Sequence, residues 1–405
     1  MAGTSAALSK KQLRHLAPMI LVGLAVAYPC LLFVSLCMGL WLIDPSGLPI
    51  PTDFINVWAA GKLVLQGAPA DAYDWTIHKN IEVIGAGHDF AGYFGWHYPP
   101  PFLLIAAPLA LLPYPIALLA WMLASLPLYL ASIWQIVGRR EALLAAFAWP
   151  VVFWNMVVGQ NGFLTAALLA GGLAMIERRP ALAGILIGLL TYKPQFGLLI
   201  PLALVASGHW RVLGWAVLSA VGLGAISALA LGLDVWLAFL KSIVHTNDAI
   251  LLSGLAQFAK LQSPYGQIRA LGGSVQLAWL THGALVAASA VFVWRLWARK
   301  SDFDTQAAAL ATTTLLASPY IYLYDLVALS VPLAFLGRTG FSNRETVTLL
   351  VIGALLLWGP DSRLATGLLA MLLVLGMIVL RALHSPARPR PADVASFEPI
   401  ELHSA

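Results

Sequence analysis

From Ala17 to Ile43 the chain runs for 27 residues without a charged side chain. That is longer than the ~20 residues an α-helix needs to cross the hydrocarbon core of a bilayer. No water is available there for backbone N–H and C=O groups, so such a run must be a helix or a strand of a closed barrel. The residues do not alternate as barrel strands do. Similar apolar runs recur along the chain, and charged residues make up only 10% of its 405 residues, against about 25% in a soluble domain. The reading is a polytopic, all-α membrane protein. The net charge of +5 is no sign of a nucleic-acid partner, because the arginines cluster at helix ends as loop charges do in membrane proteins.

The run beginning at Ala17 is too long for the core of a cleaved signal peptide and carries no convincing cleavage site. It is expected to be an uncleaved first membrane helix with its basic flank, KKQLRH (10–15), in the cytosol. Cys30 and Cys37 both fall on it, seven residues apart, and are expected to be reduced core residues. A polar, aromatic and Gly/Pro-rich loop follows over 44–98, and a second long loop lies over 233–273. Long loops of this kind are usually functional.

The remaining apolar segments fall near 98–137, 142–158, 162–176, 180–207, 212–232, 274–298, 306–322, 324–338, 345–358 and 362–382. Reading 98–137 as one kinked crossing and 180–207 as two short ones places 16 of the 23 Lys/Arg on the cytosolic side, as the positive-inside rule favours. The total is then about 12 transmembrane helices with both termini cytosolic, and the two long loops meet above one extracytoplasmic cavity. Residues 1–385 form a single transmembrane domain, and the Pro-rich tail 386–405 reads as disordered.

The polar residues that could carry chemistry are few. Asp53 heads the stretch DFINVWAAGKLVLQG, which places Phe54, Val57, Trp58 and Leu65 along one side of a short helix lying at the membrane surface. Two readings of Asp53 stay open. It is an N-cap, a common structural use of aspartate, or a general base beside an apolar wall that raises its pKa. His97 and Tyr98 close the first loop, as interfacial anchors or as ligands. Lys193, in LLTYKPQFG, tops a Pro-containing turn in an apolar region, where charge is costly. It holds a phosphate as a point charge or simply snorkels to the interface. Gln160 and Asn161 offer neutral hydrogen bonds suited to sugar hydroxyls, though both are ordinary turn formers. In SPYIYLYDL (318–326), Asp325 lies among Tyr320, Tyr322 and Tyr324, as a substrate contact, a helix cap or an ion-pair partner. Arg269, close to Tyr265, is a cation for a phosphate or for Asp325. Asp302 and Asp304 read as a helix-start cap rather than a metal pair, and no P-loop or Cys/His cluster is present in the sequence.

In order along the chain, these residues make a pattern. It consists of D-F-x-x-x-W-A-A-x-x-x-x-x-x-G (53–67) with A-Y-D (72–74), Y-P-P-P (98–101), G-Q-N (159–161), G-x-x-x-G-x-x-x-x-K-P (184–194) and S-P-Y-x-Y-x-Y-D-L (318–326). The pattern resembles glycosyltransferase family 87, the polyprenyl-phosphate-mannose-dependent α-mannosyltransferases, whose relatives include mycobacterial phosphatidylinositol-mannoside mannosyltransferases. The resemblance spans about residues 17–340. It implies a GT-C-type bundle in the bacterial plasma membrane, with the active site on the extracytoplasmic face. It places the catalytic carboxylate on Asp53 and the lipid-phosphate contact on Lys193. With these two, His97, Tyr98, Gln160, Asn161, Tyr265, Arg269, Tyr324 and Asp325 are expected to be substrate contacts. The mycobacterial relatives carry a histidine near the SPY segment, where this chain has Tyr324 and Asp325.

The implied donor is a sugar on a polyprenyl phosphate and the acceptor a glycolipid or glycan, with no metal or cofactor. The leaving phosphate is a stabilised anion and needs no general acid, so one base and a fixed cation suffice for a single inversion. A lipid or glycan transporter is the alternative. It predicts ionisable residues near the bilayer midplane and two similar halves. The sequence shows its charges at loops and turns, and no repeat.

Overall fold

The computed structural model describes residues 10–255, 257–299, 301–358 and 364–384. Among these the regular structure is helical, apart from isolated bridges joining Trp41, Ile43 and Pro49. The expected disordered tail, 386–405, lies outside the described residues.

The helices run in order. α1 (Lys10–Cys37) is followed, in the first long loop, by α2 (Ile55–Leu65) and α3 (Trp75–Ala86). Then come α4 (Leu103–Leu109), α5 (Tyr114–Val137), α6 (Arg140–Phe147), α7 (Pro150–Val158), α8 (Gly162–Met175), α9 (Pro180–Leu189), α10 (Ile200–Ala206) and α11 (Trp210–Leu231). The second long loop holds α12 (Leu233–Asn247) and α13 (Pro264–Ala270). The rest is α14 (Val275–Ala298), α15 (Phe303–Leu316), α16 (Ser330–Gly337), α17 (Asn343–Trp358) and α18 (Thr366–His384).

Six helices among the described residues are long and apolar enough to cross a membrane: α1, α5, α11, α12 with its extension to Leu252, α14 and α18. The bent pair α6–α7, with 55° between its arms, would make a seventh. The other apolar segments of the sequence become shorter helices, and proline is the main reason. At Lys193–Pro194 the helix of 180–207 stops, because proline has no N–H to donate and pushes the preceding residue out of the helical region. Lys193 accordingly sits at φ −129°, ψ 74° between two short 3-10 turns, Leu190–Tyr192 and Pro194–Gly197. In 98–137, Pro113 separates α4 from α5, so α5 alone has the length of a crossing.

Two expectations, on helix α2 and on the cysteines, are corrected. Helix α2 does not lie on a surface: eight of its eleven residues are buried, packed against α3 and α4. Gly61 makes this possible, since a Cβ there would overlap the Ala106 carbonyl of α4. The second long loop is partly helical. Its first half is helix α12, which leaves Leu233, Leu237, Leu240 and Val244 exposed at i, i+4, i+7 and i+11. Cys30 and Cys37 are free but exposed, because α1 turns nearly all its surface outward rather than into a core.

The centre of the bundle is α15. Every residue from Thr305 to Leu316 is buried, and the hydroxyls of Thr312 and Thr313 donate to the carbonyls of Ala308 and Ala309 in the preceding turn. Helices α9 and α11 approach closely because Gly184 and Gly188 face the Val212 and Ala216 carbonyls with no Cβ between. Asp302 does cap α15, accepting from the Thr305 N–H at 3.0 Å.

The two long loops pack on each other. The Nδ1 of His97 meets the Thr246 hydroxyl at 3.0 Å, and the Tyr73 and Phe239 rings lie 5.7 Å apart. The Tyr320 hydroxyl donates to the Asn247 Oδ1 at 3.3 Å and ties the second loop to the SPY segment.

Candidate active site

Three turns that are distant in sequence meet beneath the loops. The first carries Asp53, just before α2. The second, Gly159-Gln160-Asn161-Gly162, joins α7 to α8. The third is Tyr322–Asp325, which enters the 3-10 helix Leu323–Leu329. Both glycines of the middle turn are required by the approach of the others. Gly159 ends α7 at φ +72°, and a Cβ on it would lie 2.7 Å from the Phe54 Cβ. A Cβ on Gly162 would press on the Tyr324 carbonyl at 2.5 Å. Backbone and side-chain bonds fix the turn, with Phe54 N–H donating to the Val158 carbonyl at 3.1 Å and Gly162 N–H to the Asn155 Oδ1 at 3.0 Å.

In this setting Asp53 is not a helix cap. The N-cap residue of α2 is Phe54, and no side chain caps the helix. The Asp53 Oδ2 instead accepts from the Gln160 Nε2 at 3.3 Å. The other end of that amide, Oε1, accepts from the Tyr98 hydroxyl at 3.0 Å. Tyr98 is held in turn by its backbone carbonyl, which accepts from the Tyr73 hydroxyl at 2.9 Å. Its ring packs against Trp96 and Phe102.

Asp53 keeps partial solvent access although protein atoms crowd its carboxylate on most sides. This burial pushes its pKa above the ordinary carboxylate range, while the Gln160 hydrogen bond and the positive charge of Lys260 pull it part of the way back. Burial also pushes the His97 imidazole down to about 4, so it is neutral near pH 7.

Lys193 and Asp325 form a buried ion pair, with Nζ 2.5 Å from Oδ1. The second oxygen of Asp325 accepts from the Tyr322 N–H at 3.0 Å and caps the 3-10 helix. Asp325 is thus both cap and ion-pair partner. The Lys193 ammonium also lies 5.2 Å from the Tyr324 ring centre.

Two expected contacts stand elsewhere. The guanidinium of Arg269 donates to the carbonyls of Leu252 and Gly273 and stacks on Phe258, so it braces the second loop and is not the partner of Asp325. The Tyr265 hydroxyl donates to the Leu251 carbonyl at 2.7 Å, and the residue belongs to a separate small core. Gln160 spends both ends of its amide on protein. Asn161 spends neither, since its side-chain nitrogen and oxygen are buried without a hydrogen-bond partner among the described residues. Buried polar atoms are rarely left this way unless a ligand or water completes them.

Sequence reasoning missed the buried His78–Glu82 pair on α3. The His78 Nε2 lies 3.7 Å from the Glu82 Oε1, and both side chains are fully buried. Burial pushes Glu82 up to about 8 and His78 down to about 3, so both are neutral near pH 7. The i, i+4 spacing was visible, but nothing local marked α3 as buried. Tyr73 was missed because its hydroxyl acts on the Tyr98 carbonyl, 25 residues further along, and Tyr322, noted beside Asp325, acts through its backbone N–H, which no side-chain pattern marks.

The chain is helical, with several helices apolar and long enough for a membrane-embedded protein, and it joins Asp53, Gln160 and Tyr98 in one line of hydrogen bonds. The family model of glycosyltransferase family 87 matches residues 96–319, and the chain belongs to that family. The matched span begins at Trp96, so it holds His97, Tyr98, Gln160, Asn161, Lys193, Tyr265 and Arg269, while Asp53 and Asp325 lie outside it. No curated protein and no solved structure matches the chain. The family is one of glycosyltransferases and gives no support to the transporter alternative.

Proposed function

We propose that this protein transfers a hexose, mannose by its resemblance, from a polyprenyl phosphate to a glycolipid or glycan acceptor. In this reading the short broken helices complete a GT-C-type bundle in the bacterial plasma membrane, and the two long loops face the extracytoplasmic side. The observation that carries the reading is the Asp53–Gln160 bond, which joins a carboxylate outside the family span to a glutamine inside it.

Asp53 acts as general base. It takes the proton from the acceptor hydroxyl as that oxygen bonds to the anomeric carbon. The bond from the anomeric carbon to the phosphate oxygen breaks, and its electron pair leaves with the lipid phosphate. One displacement inverts the anomeric centre, and the step needs no metal. The raised pKa suits the role, because a base is most effective when its pKa approaches the working pH. Gln160 and Tyr98 aim the carboxylate, and Asn161 has hydrogen-bonding capacity left for a sugar hydroxyl. Tyr324 and the half-buried His97 line the approach. Lys193, already opposed by Asp325, braces the third turn.

The test is transfer of labelled mannose from polyprenyl-phosphate-mannose by the purified full chain, with Asp53→Asn alongside. Wild type should consume the donor, and the folded variant should not. A fully active Asp53→Asn would remove Asp53 from the mechanism, and a wild type that never consumes lipid-phosphate sugar with varied acceptors would refute the reading.

A further inference from the structure

The acceptor in the reading above is a glycolipid or a glycan, and the present inference rests on that reading and narrows it. The motif Ala72-Tyr73-Asp74 stands where the 3-10 turn Pro69–Tyr73 passes into α3. There it faces α12 across an open cleft of about 410 Å³. Small-ligand sites typically enclose about 300–1,000 Å³.

The cleft carries both signs of charge, and the two do not cancel. Asp74 spends one carboxylate oxygen on capping α3, its Oδ1 accepting from the Thr76 and Ile77 N–H groups at 2.9 and 3.0 Å. Its Oδ2 and the Thr76 hydroxyl make no hydrogen bond among the described residues. Across the cleft, Lys241 of α12 is exposed, and its ammonium pairs with no carboxylate among the described residues, Asp74 included. His245, one turn further on, is exposed and meets the Trp75 ring edge-on at 4.4 Å. An anion in this cleft would face Asp74, and a cation would face Lys241. A neutral polyol suits both at once, because each hydroxyl can donate to the carboxylate or accept from the ammonium.

Helix α12 also shows what the polyol is attached to. Ala238, Lys241, Ser242 and His245 recur at i, i+3, i+4 and i+7 and form the face that lines the cleft. The exposed stripe Leu233, Leu237, Leu240 and Val244 lies about a third of a turn away round the same helix. An alkyl chain laid along that stripe can deliver its headgroup into the cleft. The cleft in turn shares a wall with the candidate active site. Tyr73 lines it, and the Tyr73 hydroxyl holds the Tyr98 carbonyl at 2.9 Å, from which Tyr98 and Gln160 lead to Asp53.

We propose that the cleft between α3 and α12 is a subsite for the acceptor, and that it holds the saccharide headgroup of a membrane glycolipid whose tail lies along α12. Binding energy gathered at a sugar that does not react presents the reacting hydroxyl to Asp53.

The experiment is equilibrium binding to the full chain in nanodiscs, with empty nanodiscs as background. The probes are octyl α-mannoside, the tail-less methyl α-mannoside and the sugar-less octylphosphocholine. Wild type should bind octyl mannoside more tightly than either control. Lys241→Ala should weaken octyl mannoside binding about tenfold, as expected for loss of one hydrogen bond to a charged group, with an unchanged melting temperature. Lys260→Ala, at an exposed lysine of the same loop that does not line the cleft, should bind like wild type. Leu240→Ser combined with Val244→Ser should remove the advantage of octyl over methyl mannoside. Equal binding of octyl and methyl mannoside to wild type would overturn the glycolipid. Octylphosphocholine bound as tightly as octyl mannoside would overturn the saccharide, and a Lys241→Ala variant that binds octyl mannoside like wild type would overturn the cleft. No transfer is measured, so each of these failures leaves the donor and Asp53 standing. A wild type that binds octyl mannoside through Lys241 but never consumes lipid-phosphate sugar would refute the donor reading and leave the cleft as a glycolipid-binding site.

Discussion

The ammonium of Lys193 lies 2.5 Å from the carboxylate of Asp325, 132 residues further along, with both side chains shielded from solvent. Removing one member of a buried pair strands the other charge, at a cost of about 3–5 kcal/mol, whereas replacing both with apolar groups is often neutral. Lys193→Met and Asp325→Leu should each lower the melting temperature strongly in detergent, and the double variant should recover most of the loss. If the double variant is no more stable than the worse single one, the two residues are not coupled. Asp325→Leu also frees the Tyr322 N–H, so full recovery is not expected.

Asp53 and Gln160 give a pH signature. A base works only when deprotonated, so activity should fall as pH drops through a pKa that burial has raised above the carboxylate norm. The Gln160 hydrogen bond lowers that pKa, so Gln160→Leu should move the acid limb of kcat/KM to higher pH, with activity partly regained in alkali. Asp53→Asn should lose about 10²–10⁴ in kcat at every pH. An acid limb that stays in place in Gln160→Leu would separate Gln160 from the base.

The Glu82–His78 pair predicts stability that depends on pH in both directions. The Glu82 pKa is raised from 4.5 to about 8, by burial first and against the opposing effects of the Phe94 N–H and Lys79. Between those values the folded protein holds a proton that the unfolded chain releases. Its contribution is therefore complete below pH 4.5 and is lost as pH rises through about 8. The His78 pKa is lowered from 6.5 to about 3, so acid below 6.5 favours the unfolded chain, which takes up the proton. Melting temperature measured across pH 6–9 should fall at the alkaline end in wild type. The fall should be smaller in Glu82→Gln, and an identical fall in both would assign it to other groups.

Gly61 sets how closely α2 can approach α4, and hence where Asp53 sits. The atom that an added Cβ would meet is the backbone carbonyl of Ala106, which no side-chain rotation can clear. Gly61→Val should cost about 1–3 kcal/mol by overpacking and lower kcat more than it raises KM. Gly23, with open space around it, is the control, and Gly23→Ala should leave both unchanged.

The sequence by itself determined the class of protein and most of its punctuation. Hydropathy is a local property, so the 27-residue run at Ala17 announced a membrane helix without reference to anything else. Pro194 and Pro113 likewise broke helices where they stand, because a missing N–H acts on its own turn. The Asp302 cap was also legible, since donor and acceptor lie three residues apart. Only the tertiary structure decided which faces were buried and which charges were free. Helix α2 is apolar nearly all round, with Asn56 and Lys62 its only polar side chains, and its sequence alone does not say which neighbours enclose it. The Asp53–Gln160 and Lys193–Asp325 contacts join residues 107 and 132 positions apart. No local pattern encodes such pairings; they follow from how broken helices pack.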